Sequence, residues 1–439
     1  MAQPDNPPPE TPPPDTPMPD TPMPDTPTPE ARTERPIPAP GERVALVLAG
    51  GGIPGWMYEI GALTALDEFL QDGFNCNNFD LYVGTSAGSV VASLMVNGAR
   101  PREVYDAIAE NAASPYNIAR KDIYTFGTGE TWRMLGKGVK SVWAAGCEGV
   151  LEMFVKRRLP SVLDMLWTVQ DMLPSGVFTL RPLENTLARH YLSQESMTDD
   201  FRELRRPLFI PAVDLDRGNY VIFGTEGRRH VPISRAVVAS CSMPVLFQPV
   251  HIDGVDYIDG GTGRVANMSV AVDNGAGLLV VINPVVHLDN DRDRVCLPTC
   301  HGFCKGIKHK GLSFVTDQAM RINTSMRLRD AKSRHEMQNP GLDIAIIEPD
   351  PQDTVMFAQN VMGHDTRHEV MRYGYRSTVA FLARNFEHFQ KMFAKRGVRV
   401  SLERFRWRPK SGGMRVLGPH ERERVPRSVP VTAGGGGRK

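Results

Sequence analysis

No run of about 18 apolar residues occurs in this sequence, so no membrane-spanning helix is expected. A basic-then-apolar leader is also missing. The chain begins Met1-Ala2-Gln3-Pro4-Asp5, which implies a cytoplasmic setting with membrane contact at most peripheral. Net charge is nearly absent, 51 Lys and Arg against 50 Asp and Glu, which argues against nucleic acid or a strongly acidic macromolecule as partner. Cysteine is sparse. Cys76, Cys147 and Cys241 stand apart in apolar contexts and read as reduced thiols. Cys296, Cys300 and Cys304 form a C-x3-C-x3-C cluster with His301 inside it and His309 after it. That is not the two-residue spacing of zinc knuckles, so the cluster reads as a loop of ordinary or redox-sensitive thiols and no metal is expected.

What is present is unevenly spread. Residues 1–42 hold 16 of the 36 prolines and a five-residue repeat, Pro14-Asp15-Thr16-Pro17-Met18 and its two successors. Such a segment cannot bury a core and reads as an extended, polyproline-like arm. Residues 396–439 read as a basic, disordered tail. From residue 404 onward they carry ten basic side chains and two acids. That charge is suited to an anionic membrane surface, although a solvated tail is the simpler reading. One α/β domain, residues 43–395, remains between them.

Within that domain strand and helix patterns alternate, which implies a mainly parallel sheet. Strands are expected at 44–49, 79–83 and 277–283, helices at 54–70 and 233–241. A strand at 207–215 is expected to pair with 219–223 through the Asp216-Arg217-Gly218 turn. Residues 115–173 form an insertion of different texture. Leu151, Phe154, Val155, Leu159, Val162, Leu163, Leu166 and Trp167 recur at helical spacing around Lys156-Arg157-Arg158, with Pro160 breaking the run. This reads as a helical cap, either packed on the sheet or gating a pocket.

Three motifs carry chemistry. Gly84-Thr85-Ser86-Ala87-Gly88 lies between the strand ending at Val83 and a helix-like run, the pattern of a nucleophile elbow. The turn is so tight that only glycine fits two residues either side of the serine, and the hydroxyl emerges at a helix N-terminus. Upstream, the first strand runs into Gly50-Gly51-Gly52-Ile53-Pro54-Gly55. The amides of Gly50, Gly51, Gly52 and Gly55 are candidates for an oxyanion hole. Pro54 suits a first helical turn, and Met57, Ile60, Leu63 and Leu66 continue at helical spacing. Downstream, residues 249–258 read as a hairpin turning at Asp253-Gly254, and Asp259-Gly260-Gly261 closes it. A carboxylate there is placed to deprotonate a serine without a histidine.

In this order the three motifs resemble the patatin-like phospholipases. Leu173–Phe178, Ala239–Phe247 and the late helix around Tyr373-Gly374-Tyr375 fit the same resemblance. It implies a three-layer α/β/α fold with a mainly parallel central sheet and a helical insertion. It also implies a serine lipid acyl hydrolase of the phospholipase A or lysophospholipase type, with Ser86 as nucleophile and Asp259 as base. The substrate would be a lipid or phospholipid ester, and no cofactor is needed. The family usually has a basic residue where Pro54 stands, so a catalytically inactive lipid-binding member is one alternative. A Ser-His-Asp α/β-hydrolase using His251, His287, His364 or His368 is another. Gly50-x-Gly52-x-x-Gly55 also fits a dinucleotide fingerprint, but the second strand ends in the elbow rather than in a ribose-holding acid.

Overall fold

The computed structural model describes Pro36 and residues 38–127, 174–264, 266–291 and 306–405. The chain divides into two units, Met1–Pro36 and Ile37–Lys439, and only the second carries the elements below. Most of the proline-rich arm, most of the cap, Cys147, Cys296, Cys300, Cys304 and most of the basic tail fall outside the described residues.

Strand β1 (Arg43–Leu48) leads through the glycine loop into α1 (Gly52–Phe69). Strand β2 (Leu81–Gly84) leads into α2 (Ala87–Val96), then α3 (Pro101–Ala109) and the short β3 (Thr125–Phe126). After the insertion come β4 (Gly176–Thr179), α4 (Arg181–Leu192), β5 (Leu208–Asp214), β6 (Tyr220–Phe223) and α5 (Ile233–Ser240). Strands β7 (Val245–Phe247), β8 (Val250–Ile252) and β9 (Val255–Asp259) follow, then α6 (Met268–Asp273) and β10 (Ala276–Ile282). The described part closes with α7 (Leu312–Gln338), β11 (Asp343–Ile347), α8 (Arg367–Arg384) and α9 (Phe386–Ala394).

The central sheet runs β11-β10-β1-β2-β5-β9-β8, with β6 pairing to β5. Its first five strands are mutually parallel, and β6, β8 and β9 are antiparallel additions. Alternation along each strand splits the core into two layers. Val44, Leu46 and Leu48 of β1 join the larger cluster under α1, α2 and α8. Ala45, Val47 and Ala49 join the smaller one under α6 and α7. A sheet covered on both faces explains why β1 and β10 read as unbroken apolar runs.

Helix α1 is the centre of the larger layer and crosses α8 at unusually short range. A Cβ on Gly61 would lie 2.1 Å from the Met371 carbonyl oxygen, and one on Gly374 would lie 2.4 Å from that of Tyr58. The two backbones therefore touch, and a side chain at either position would drive them apart.

Two expectations change. Residues 396–405 are not a free tail. Val398, Val400 and Phe405 are buried, Val400 bridges Leu70, and Phe405 stacks on Phe69 at 6.2 Å. Their apolar side chains cover the C-terminal end of α1 at Phe69 and Leu70, both buried. The start of the insertion is not helical cap either. It forms one 3-10 turn and then β3, which joins β4 and β7 in a separate three-stranded sheet. Phe126 packs on Phe178 across that pair, with ring centroids 4.9 Å apart, and aromatic cross-strand contact favours strand over helix there.

Candidate active site

The elbow is shaped by what cannot fit. Strand β2 ends at Gly84 and α2 begins at Ala87, so Thr85 and Ser86 make the whole reversal. A Cβ at Gly84 would lie 2.6 Å from the Gly88 carbonyl oxygen, and one at Gly88 would lie 2.6 Å from that of Ala49. Ser86 itself takes φ 52° and ψ −125°, a conformation that costs a residue with a Cβ on the order of 1–3 kcal/mol. The surrounding bonds hold it there. Thr85 N–H donates to Leu48 O at 3.0 Å, and Gly88 N–H donates to Thr85 O at 2.9 Å.

Sheet register brings the carboxylate to the same level. Val83 of β2 pairs with Phe209 of β5, and Asp259 of β9 pairs with Ala212 on the other side of β5. Ser86 lies three residues beyond Val83, as Ala212 lies three beyond Phe209. The elbow and Asp259 therefore lie on either side of β5, whose Ala212 pairs with Asp259 on one edge and with Val221 of β6 on the other. The Ser86 hydroxyl donates to Asp259 Oδ2 at 2.6 Å, and the Gly261 N–H donates to Oδ1, also at 2.6 Å. Ser86 and Asp259 are each 5 % exposed. Burial pushes the Asp259 carboxyl up to about 6, against the opposing pull of the Ser86 and Gly261 hydrogen bonds.

The glycine loop offers donors selectively. Among the described residues nothing accepts from the N–H groups of Gly50, Gly51 or Gly52, the last two opening α1 where helix amides have no partner of their own. Ile53 N–H is engaged by Val361 O at 3.0 Å, and Pro54 has none to give. Gly55 departs from the expectation for the loop. Its N–H donates to Gly51 O at 3.0 Å, so the residue supports the turn and has no donor left for an oxyanion. A Cβ on Gly50 would lie 3.1 Å from Ser86 Cβ, which places the loop directly against Ser86.

Sequence reasoning missed the clamp that ties these parts together. Ser240, at the end of α5, accepts the Ser86 N–H at 2.9 Å and donates its own hydroxyl to Pro211 O on β5 at 2.6 Å. The backbone of the same segment holds the Asp259 loop: Asp259 N–H donates to Ser242 O, and Gly260 N–H to Ser240 O. Asn267 Nδ2 donates to Thr85 Oγ1 at 3.0 Å and to Arg264 O at 3.2 Å, linking elbow and base loop. The only signal in sequence was the Ala239–Phe247 stretch, which fitted the resemblance without assigning a role. Ser89 Oγ lies 3.8 Å from Cys241 Sγ, and burial raises that thiol far above its ordinary range.

Two of the four candidate histidines are engaged elsewhere. His251 Nδ1 lies 2.8 Å from Asp256 Oδ1 on the exposed hairpin, and His364 Nε2 lies 3.1 Å from Ile118 O. Among the described residues no group of three or more His, Cys, Asp or Glu side chains is arranged to hold a metal ion. None of the described helices is long and apolar enough to cross a membrane.

A mostly parallel sheet between two helical layers, with a serine elbow beside a glycine loop, defines an α/β hydrolytic fold. Residues 46–272 match the family described as patatin-like phospholipase, which is more than half of the chain. The chain belongs to that family, whose members are lipid hydrolases. Among solved structures it is similar to VipD from Legionella pneumophila, with 14 % identity, a TM-score of 0.33, and coverage of 78 % of this chain and 67 % of that one. The type III effector ExoU gives 13 %, 0.32, 79 % and 54 %, and human GIVD cytosolic phospholipase A2 gives 11 %, 0.26, 81 % and 60 %. The chain thus spans about half to two thirds of the length of these proteins.

Proposed function

We propose that the protein hydrolyses carboxylic esters of lipids, phospholipids or lysophospholipids among them, through an acyl-enzyme on Ser86. The observation that carries this reading is the 2.6 Å hydrogen bond from the Ser86 hydroxyl to the buried Asp259 carboxylate. A serine hydroxyl is a weak nucleophile until a base takes its proton, and a carboxylate lifted to about 6 is a far better base than an ordinary one. Asp259 takes the proton as Oγ attacks the ester carbonyl. The oxyanion that forms is met by the free amides of Gly51 and Gly52, with Gly50 alongside. Donors so placed are worth on the order of 3 kcal/mol each in other enzymes. Asp259 gives its proton to the departing alcohol, which leaves Ser86 acylated. It then takes a proton from water, the hydroxide attacks the acyl carbonyl, and Ser86 recovers its proton as the carboxylic acid leaves.

Proton, acyl group and leaving group balance without a cofactor. In this reading the hydrolase domain runs from β1 through residue 405, and the arm 1–42 contributes no catalytic group. The test is turnover of a chromogenic medium-chain ester and of mixed phospholipid vesicles, with fluorophosphonate labelling in the same samples. Ser86→Ala is expected to abolish labelling and cut kcat by about a thousandfold or more, with Asp259→Asn close behind. Near-full turnover in Asp259→Asn would sink the dyad.

A further inference from the structure

Helix α7 is the longest helix among the described residues, yet only Ser325 and Leu328 of its 27 residues are buried. Leu328 faces the sheet with Ala331 beside it. On the opposite side Leu312, Val315, Ala319, Ile322 and Met326 recur at spacings of three and four, a single stripe on a helix of 3.6 residues per turn. All five are exposed, Leu312 by 84 % and Met326 by 62 %. At 1.5 Å per residue the stripe is about 21 Å long. Continuous exposed apolar surface of this kind marks a place of contact.

Charge identifies the occupant. Of the three acids on α7, Asp317 is paired with Arg321 at 2.7 Å and Glu336 with Lys332 at 2.6 Å, leaving Asp330. Against that one acid stand Arg327, Arg329 and Arg334, none in an ion pair among the described residues. All three lie past the Met326 end of the stripe, and at 100° per residue Arg327 and Arg334 fall to one side of its line and Arg329 to the other. An apolar strip with exposed arginines gathered at one end fits the interface of an anionic lipid bilayer, with the guanidinium groups at phosphate level.

Position supplies the second argument. Arg327 Nη1–H donates to Gly263 O at 3.0 Å, and Gly263 lies on the loop that starts at Asp259. Tyr220 O–H donates to Thr262 O on the same loop, and the Arg264 guanidinium sits 4.6 Å from the Tyr220 ring centroid. The stripe therefore ends, at Met326, beside the loop that carries the base.

We propose that α7 docks the protein on an anionic lipid bilayer, with its apolar stripe entering the headgroup region and Arg329 and Arg334 holding lipid phosphates. The bond from Arg327 to Gly263 then brings the Asp259 loop to the bilayer surface. The inference rests on the proposed function only in taking lipid as the substrate.

Vesicle flotation with the full chain tests it, using phosphatidylcholine alone and phosphatidylcholine mixed with phosphatidylglycerol. The wild type is expected to float with the mixed vesicles and to release as salt is raised. Val315→Gln/Ile322→Gln is expected to bind mixed vesicles about tenfold more weakly. Arg329→Gln/Arg334→Gln is expected to lose the preference for phosphatidylglycerol. Thermal unfolding and sedimentation of each variant should match the wild type. Equal flotation of the wild type and Val315→Gln/Ile322→Gln overturns the proposal. So does a wild-type dimer that this variant splits, which would assign the stripe to a second copy. Flotation needs no turnover, so failure of the Ser86 chemistry would appear in the ester assay and leave this result standing.

Discussion

Helices α1 and α7 are both long, and they meet opposite conditions. Fifteen of the 18 residues of α1 are buried, against two of 27 in α7. Helix α1 is gripped by the sheet, α2, α3 and α8, and its first turn presents the free amides of Gly51 and Gly52. Donors that must meet a transient oxyanion gain from being unable to move, since stabilisation by fixed dipoles needs no reorganisation at the moment of reaction. Helix α7 is held along one edge and reaches the site through a single arginine. The contrast suggests a division of labour, with chemistry mounted on a helix that cannot shift and contact with the surroundings on one that has surface to give.

The contrast is broken most directly at Gly61, where α1 and α8 touch backbone to backbone. Gly61→Val is expected to lose about 3 kcal/mol or more of stability in urea unfolding, or to fail to accumulate as folded protein. Ile322→Gln on the exposed side of α7 is expected to stay within about 0.5 kcal/mol of the wild type. Equal losses at the two positions would remove the distinction.

A smaller effect sharpens the electrostatic side of the same contrast. Burial raises Asp259 from 3.8 to about 6. Below pH 4 the carboxyl is protonated in the folded and unfolded states alike, and folding carries no penalty from it. As pH rises from about 4 to 6 the unfolded chain ionises first, so stability falls across that window by up to about 3 kcal/mol. Asp259→Asn cannot ionise, and its stability relative to the wild type should climb between pH 4 and 6 and then level. In the proposed mechanism Asp259 must be ionised to act, so wild-type kcat should rise with pH about a midpoint near 6. A flat stability difference, together with a pH-independent kcat, would show that the carboxyl is not desolvated as its burial implies.

Much of this site was legible because tight geometry leaves few residue choices. The elbow glycines, the loop after β1 and the hairpin ending at Asp259 each demand a particular residue type, and sequence pattern marked all three. Met57, Ile60, Leu63 and Leu66 marked α1, although a helix buried all round has apolar residues on every face, and its start moved by two residues and its end by one. Strand β11 and helix α7 escaped the sequence reading for physical reasons. Strand β11 is a five-residue strand with no motif beside it. Helix α7 turns its apolar stripe outward and sets Arg321 and Ser325 toward the body, so no inward amphipathic face announces it. Ser240 escaped because its partners, Ser86 N–H and Pro211 O, come together only through the order of strands in the sheet.

Ser240 offers the finest test of how far the immobility of the catalytic end extends. Its hydroxyl accepts the N–H of the strained Ser86 and passes a hydrogen bond to β5, so it fixes the backbone from which the nucleophile projects. Ser240→Ala leaves that buried N–H unpaired, a cost of about 1–3 kcal/mol. If part of this is spent in loosening the elbow, kcat for a soluble ester should fall by about tenfold with KM little changed, and Ser240→Thr, which keeps the hydroxyl, should recover most of it. A residue that served folding alone would lower the melting temperature and leave kcat per folded molecule as in the wild type. Substituting Ser333, on the outer side of α7, should change neither quantity. A drop at Ser240 without one at Ser333 would extend the fixed region from α1 across the sheet to the end of α5, and equal behaviour would confine it to the glycine loop and elbow.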